Sequence, residues 1–493
     1  MEKLYSNRRS RSFEIIKNIF IFSFGTFISR FFGFLREIFV AFSLGATHFA
    51  DILYVSFRIP NFLRDIVAEN AIQTAFVPVY LKYKEKNEDK KFSSNIFLIY
   101  LIFSILIVVI GIILSPLIVK ITAFGFTKIP WKYNLTVKLT KILFPLIIFL
   151  FLSAFFSGIL NAEKKFFPSS LSPAFFNITF LLIGIFSYIN FKNNKENLTF
   201  LFSLGLLIGT FMQFFFLLPF IFKNKFFKFK PDLKKEEIKK LKPFFLLLFP
   251  VFLSTSLNQI ILFVSTLLAS FLGKGAVAIL NYAYRVMHLP IALLGVGASV
   301  TTLPDMVKEK FKEEYLFKVY KEMIILLLPV IIFMIGDAYQ IIKLFYERGL
   351  FSEYDTCITS SVFIMYSFSI LSFSFSKINL NYFYSLGKII EPMLSFFIST
   401  SSYLLFAPIL SKILGVQGLA LSASVASFSQ FLFLLSKMPS FIYKFPHKLK
   451  FLIYLLIFSI ILYLKIFNLI IIELTIDLIF VFMFYIFLKR TWK

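Results

Sequence analysis

The sequence predicts an all-α polytopic membrane protein of about fourteen transmembrane helices, built as two pseudo-symmetric six-helix lobes plus two C-terminal helices. Three observations predict it. The 493 residues are 58% hydrophobic and only 16% charged, with a mean hydropathy of +0.83. A soluble domain of that size carries nearer a quarter charged residues, so the surplus apolar surface must face lipid. Apolar runs of spanning length recur along the whole chain, and a set of residues from the first half returns in the second half at a nearly constant offset.

The runs fall at 15–43, 49–81, 94–121, 134–160, 167–189, 198–222, 241–272, 276–305, 318–345, 354–385, 388–411, 417–436, 450–467 and 469–488. Each approaches or exceeds the ~20 residues that carry a helix across a ~30 Å hydrocarbon layer. Met1 to Lys17 is basic and polar, with no cleavage site behind a short apolar core, and is expected to remain as a cytoplasmic tail. With that end inside, Lys and Arg concentrate in alternate loops: 82–91 (KYKEKNEDKK), 223–242, 308–321, 437–450 and the terminal Lys489, Arg490 and Lys493. The positive-inside rule then places both termini in the cytoplasm. It also accounts for most of the net charge of +26 without a nucleic-acid partner. The 73 Phe residues are read first as AT-rich coding bias, which inflates Phe, Ile, Lys and Asn together.

The repeat matches Leu44-Gly45, Ile52-Leu53 and Arg58 with Leu272-Gly273, Ile279-Leu280 and Arg285. Thr74 and Pro78 match Thr301 and Pro304, and Asn161, Lys164 and Pro168 match Ser385, Lys388 and Pro392. A shift of six helices keeps the two copies in one orientation, related by an axis along the membrane normal. The expected organisation is an N-terminal lobe at 1–222, a basic cytoplasmic linker at 223–240, a C-terminal lobe at 241–448 and a two-helix extension at 449–493.

Charge within the spans marks the functional region. Arg30, Arg36 and Glu37 lie in the first run, Asp51, Arg58, Arg64, Asp65 and Glu69 in the second, and Arg285 in the second repeat. A charge near the bilayer centre costs at least ~2.5–3.5 kcal/mol, so these groups face a wet cavity or one another. Arg30, Gly33 and Glu37 share one helix face, and Asp51, Arg58 and Asp65 recur every seven residues. Gly33 and Pro60 are the expected hinge and helix break, Pro60 because proline removes a backbone hydrogen bond. Guanidinium forks suit phosphate or pyrophosphate, so the arginines read as an anion site between the lobes. The competing reading is internal pairing, Arg58 with Asp51 or Asp65, and Glu37 neutralising Arg36.

Other signals are weaker. His48, His288 and His447 share no ligand spacing, and a single cysteine, Cys357, excludes a disulfide framework and a cysteine metal site. Gly295-Val296-Gly297 reads as a helix packing contact, and Lys377 either snorkels or lines the cavity. No nucleophile–base motif or dinucleotide fingerprint is present. No metal or cofactor is expected.

Ser29-Arg30-Phe31-Phe32-Gly33-Phe34-Leu35-Arg36-Glu37, followed by Gly45-Ala46, Ala50-Asp51, Pro60-Asn61, Leu63-Arg64, Ala68-Glu69 and Ala75-Phe76-Val77-Pro78, resembles the MviN/MurJ lipid II flippases of the multidrug/oligosaccharidyl-lipid/polysaccharide exporter superfamily. The resemblance continues through Leu160-Asn161, Phe263 to Leu272, Tyr282-Ala283-Tyr284-Arg285, Leu303-Pro304, Arg348-Gly349-Leu350-Phe351 and Phe383-Tyr384-Ser385. It implies a flippase, not an enzyme, that moves the undecaprenyl-pyrophosphate-linked peptidoglycan precursor from the cytoplasmic to the outer leaflet of the bacterial inner membrane by alternating access. It further implies that Arg30, Arg36, Arg64 and Arg285 bind the pyrophosphate. Asp51 and Glu69 would be acidic partners, Arg58 a supporting charge, and the last two helices a groove for the lipid tail. Lipid II, membrane lipids and proteins of cell-wall synthesis are the implied partners. Two positions depart from the family pattern: Tyr284 stands where an acidic residue is common, and Asn70 where glycine is. Spans 241–272 and 388–411 offer only Glu391 as a carboxylate, so sodium coupling is not implied.

Two alternatives stay open. An exporter of another polyprenyl-linked saccharide would share the arginines, whereas a cation-coupled drug antiporter would want cavity carboxylates to outnumber them. A membrane enzyme acting on polyprenyl phosphates would need a cluster of catalytic carboxylates or histidines, and the sequence shows none.

Overall fold

Helix α1 (Glu2–Leu44) contains no proline, and its run of large apolar residues continues until Leu44 meets Gly45. Gly45 turns the chain at φ +59°, a left-handed conformation that costs glycine little. Thr47 Oγ1 donates to the Leu44 carbonyl at 2.7 Å and seats the next helix, α2 (His48–Arg64). The computed structural model describes residues 2–64, 75–232, 234–291, 313–386, 388 and 390–438. The expected spans 450–467 and 469–488, together with Asp65, Glu69 and Asn70, lie outside them.

The remaining described helices are α3 (Val77–Lys84), α4 (Asp89–Thr122), α5 (Pro130–Leu143), α6 (Leu146–Ala162), α7 (Phe166–Phe191), α8 (Lys195–Lys223) and α9 (Lys235–Lys239), then α10 (Lys242–Ala269) and α11 (Ala276–Pro290). After these come α12 (Glu313–Gly336), α13 (Ala338–Tyr346), α14 (Glu353–Ser367), α15 (Ser369–Ser385), α16 (Ile390–Leu414) and α17 (Val416–Ser436). Among the described residues eight helical stretches are long and apolar enough to cross a membrane, two of them joining consecutive helices. The run 134–160 begins earlier than expected, at Pro130, and bends at Phe144-Pro145. There the chain tightens into three-residue bonds, Ile147 N to Phe144 O at 3.1 Å and Ile148 N to Pro145 O at 3.2 Å. The run 354–385 turns at Phe368, where Ser367 and Ser369 bond back to the carbonyls of Phe363 and Tyr366.

The helix break expected at Pro60 is corrected. α1 passes through Gly33, and α2 passes through Pro60, with helix on both sides of each. Gly33 is a packing position: a Cβ there would stand 3.4 Å from Asn177 Nδ2, which itself donates to the Ser29 carbonyl at 3.2 Å. At Pro60 one backbone bond is lost, and the packing of α2 on α5, α8 and α6 outweighs it.

The chain divides into two compact units, Met1–Gln259 and Ile260–Lys493. In the first, α7 packs along α8 and α1, and α2 along α5. Part of the Phe excess is structural here. Phe155 is fully buried among Phe76, Phe97, Phe156 and Phe227 at centroid distances of 5.2 to 6.0 Å. Phe227 comes from the linker, which is therefore no free loop. Lys230 N donates to Ser94 Oγ at 2.8 Å and Asp232 N to Asn95 Oδ1 at 2.7 Å. Lys91 pairs with Asp232 at 2.9 Å and Glu237 at 3.1 Å, and Lys240 pairs with Glu88 and Glu237, each at 3.1 Å. In the second unit α16 packs along α17, α14 and α15 also meet α17, and α11 meets α14.

The repeat returns as element boundaries. The bends at Phe144 and Phe368, and the helix starts at Pro130 and Glu353 and at Phe166 and Ile390, keep nearly the offset seen in the sequence. Gly273, the counterpart of Gly45, likewise has a positive φ, +101°.

Candidate functional site

The charges of α1 separate into two environments. Arg30 is exposed on a stretch that is otherwise apolar, where a cation has to border a wet space rather than lipid. Arg36, two turns on, is only 8% exposed, and its guanidinium donates to Glu37 Oε1 at 2.6 Å. Adjacent residues on a helix diverge. The pair closes because the long arginine stem curls back under an aromatic cover, its Cζ lying 5.1 Å from the Phe176 ring centre and 5.9 Å from that of Phe57. Tyr54 of α2 donates its hydroxyl to Glu37 Oε2 at 2.5 Å, joining the two helices through one carboxylate. Glu37, 2% exposed, thus accepts a hydrogen bond on both of its oxygens.

On α2, Asp51 is fully buried and accepts from Lys132 Nζ of α5 at 2.8 Å. Spacing along one helix pointed to Arg58 for Asp51, and Lys132 is the partner that sequence reasoning missed. Its only signal was a lysine between Trp131 and Tyr133 in the first turn of an apolar helix, which passes for a loop cation. Arg58 is half-buried on the same stripe of α2. Arg64 ends that helix, and its side chain lies outside the described residues, as does Glu69.

In the second unit Arg285 is exposed on α11, whose other face buries Tyr282, Ala283, Val286 and Met287. Tyr284 shares a 2.6 Å hydrogen bond with His288 Nε2. His288 meets the edge of Phe373, and Lys377 Nζ rests 4.9 Å from the Phe373 ring centre. Lys377 and His288 thus meet the same ring, and His288 lies one turn along α11 from Arg285. Among the described residues no three or more His, Cys, Asp or Glu side chains gather as a metal site would require.

Eight helical stretches of membrane-spanning length and apolarity among the described residues, with arginines both buried and exposed on the neighbouring helices, define a multi-pass membrane protein. The fold is shared with solved multidrug-resistance MATE family transporters of the MOP superfamily: an inward-facing one aligns over 85% of this chain and 96% of its own, with a TM-score of 0.68 at 15% identity.

Within that class the chain belongs to the family "Lipid II flippase MurJ", whose profile it matches over residues 40–489. A "Probable lipid II flippase MurJ" of Buchnera aphidicola subsp. Schizaphis graminum is 32% identical over 437 residues, 86% of this chain and 83% of the relative. The Aquifex aeolicus protein described in the same words is 30% identical, over 85% of this chain and 82% of its own. A solved structure titled "Lipid II flippase MurJ, inward closed conformation" covers 96% of this chain and 98% of its own, with a TM-score of 0.81 at 27% identity.

Proposed function

We propose that the protein translocates lipid II, the undecaprenyl-pyrophosphate-linked peptidoglycan precursor, from the cytoplasmic to the outer leaflet of the bacterial inner membrane. Family membership along almost the whole chain, with an exposed arginine on α1 of the first unit and another on α11 of the second, is what supports this. Arg30 and Arg285 make the first contact with the pyrophosphate. Arg36 and Arg64 complete the anion site, Asp51, Arg58 and Glu69 support it, and the last two helices hold the polyprenyl tail. Alternating access of the two units carries the head group across while the tail stays in lipid. Depleting the protein in living cells tests this directly: an outer-leaflet probe that cleaves lipid II should lose its substrate while the precursor accumulates inside. Undiminished cleavage after depletion would exclude the assignment.

Both termini and the linker face the cytoplasm on this reading, by the distribution of Lys and Arg. Cys357, exposed in the first turn of α14, then lies at the outer surface. A membrane-impermeant maleimide added to intact cells should label Cys357. In a Cys357→Ser background it should miss a cysteine placed at Lys230, and the opposite pattern would invert the topology.

A further inference from the structure

The end of the first unit farthest from the linker contains a buried polar cluster in which Asp51 meets Lys132 and His48, two residues to which the transport reading gives no part. α4 begins beside the linker at Asp89 and ends at Thr122, about 50 Å away at 1.5 Å per residue. A 3-10 turn, Phe124–Lys128, then leads into α5. In the first turn of α5 Lys132 is 1% exposed, while Asp51 in the first turn of α2 is fully buried.

An ammonium has three N–H donors, and three acceptors surround this one. Lys132 Nζ lies 2.8 Å from Asp51 Oδ2, 3.2 Å from His48 Nδ1 and 3.8 Å from the centre of the Phe126 ring. With Lys132 donating, His48 holds its proton on Nε2 and offers Nδ1 as acceptor. Trp131 packs edge-on against the His48 ring at 5.8 Å and closes the cluster from the α5 side. Carboxylate oxygen, imidazole nitrogen and an aromatic face are together the wall of a cation site.

We infer that this is a cation cage occupied by an ammonium tethered to the chain, and that Lys132 is thereby a positioning residue for translocation. A buried ion pair adds little net stability but specifies which groups must meet, and here it sets the rotation of α2 against α5. Ser56 Oγ on the Thr136 carbonyl, at 3.2 Å, and Ile52 against Leu135 and Leu139 continue the same seam. Arg58 lies two helical turns from Asp51 on one stripe, so the rotation that Lys132 holds is the one that presents the charges of α2. Because the cation is covalent, Asp51 needs no exchangeable ion. The transport consequence rests on the lipid II assignment, and the cage itself does not.

Purified full-length Lys132→Ala protein tests the cage by thermal unfolding in ethylammonium chloride and in sodium chloride at equal concentration. Ethylammonium, which can re-enter the vacated volume, should raise the melting temperature where sodium does not, and should do nothing for Asp51→Asn/Lys132→Ala. Equal responses to the two salts, or an equal response in the double variant, would overturn the inference. In vesicles carrying labelled lipid II, Lys132→Ala should lose most of its translocation, ethylammonium should restore part of it, and Lys132→Arg should retain part. Full activity of Lys132→Ala without any added amine would end the positioning role. If Lys132→Ala fails to accumulate, Lys132→Met and Asp51→Asn/Lys132→Met are compared by membrane yield: recovery in the double variant supports the pair, and equally poor yield refutes it. A wild-type protein that moves no lipid II while the ethylammonium shift persists would remove the assigned substrate and leave the cage standing.

Discussion

At the residue scale, the arginines differ in what surrounds them, and their substitutions should differ accordingly. Arg30 and Arg285 are exposed, so Arg30→Ala or Arg285→Ala should abolish translocation with little change in membrane yield. Lysine at either position should restore only part, since a point charge replaces a two-pronged fork. Complementation of a depleted strain measures both, and full growth with both alanine variants would remove them from the anion site. Arg36 behaves otherwise. Glu37→Gln strips its counter-charge inside an aromatic cover, and stranding a buried cation costs about 3–5 kcal/mol, so yield and melting temperature should both fall. Charged residues in apolar runs were legible from sequence because the bilayer penalises them wherever they point. Their partners were less legible. Lys132 lies 81 residues from Asp51, and only the packing of α5 on α2 brings them together. Tyr54 is an ordinary apolar-run tyrosine until α2 places its hydroxyl on Glu37.

At the element scale, the sequence located the apolar runs and the repeat well, and the breaks within them poorly. Pro60 leaves its helix running while Pro145 sits at a bend, although both are prolines in apolar stretches. Which outcome follows depends on the neighbours each helix packs against, information that one helix does not carry. The linker illustrates the same limit. Its basic composition suggests a loop, yet acidic residues within it meet Lys91 and Lys240. Its titration has a definite sign. The hydrogen bond from Lys91 holds Asp232 below the ordinary carboxylate range. Partial burial pushes Glu237 up, but bonds from Lys91 and Lys240 outweigh it and the net shift is downward. Such groups contribute above their ordinary values and lose the contribution as pH falls through the lowered ones. Lys91 and Lys240 are shifted upward by the same bonds, so their contribution persists until pH rises through the lysine range. The ion pairs of the linker are therefore present across neutral pH and are lost in acid. Amide hydrogen exchange at Lys230 and Asp232, corrected for its intrinsic pH dependence, should show protection at pH 7 that fades below about pH 4. Unchanged protection in acid would assign the hold to Phe227 and the backbone bonds alone.

At the scale of the whole molecule, the offset between Leu44-Gly45 and Leu272-Gly273 returns as a pair of turning glycines, both with positive φ, whereas the two compact units divide at Gln259, inside a helix, where no composition shift marks the sequence. The charges were readable only as a set, because the partners of those that are buried come from helices far apart in sequence. α4 carries one further property of the whole protein. Its outward face exposes Ile102, Leu106, Val109, Ile113, Leu117 and Ile121, and Lys120 stands exposed at the far margin. From Ile102 to Ile121 the rise is about 29 Å, close to an average hydrocarbon layer. The length of this face matches such a layer, and mismatch at it costs fractions of a kcal/mol per Å. Translocation in vesicles of graded acyl-chain length should pass through a maximum near that thickness and decline on either side. A change in membrane composition should then alter the rate of translocation with no residue altered.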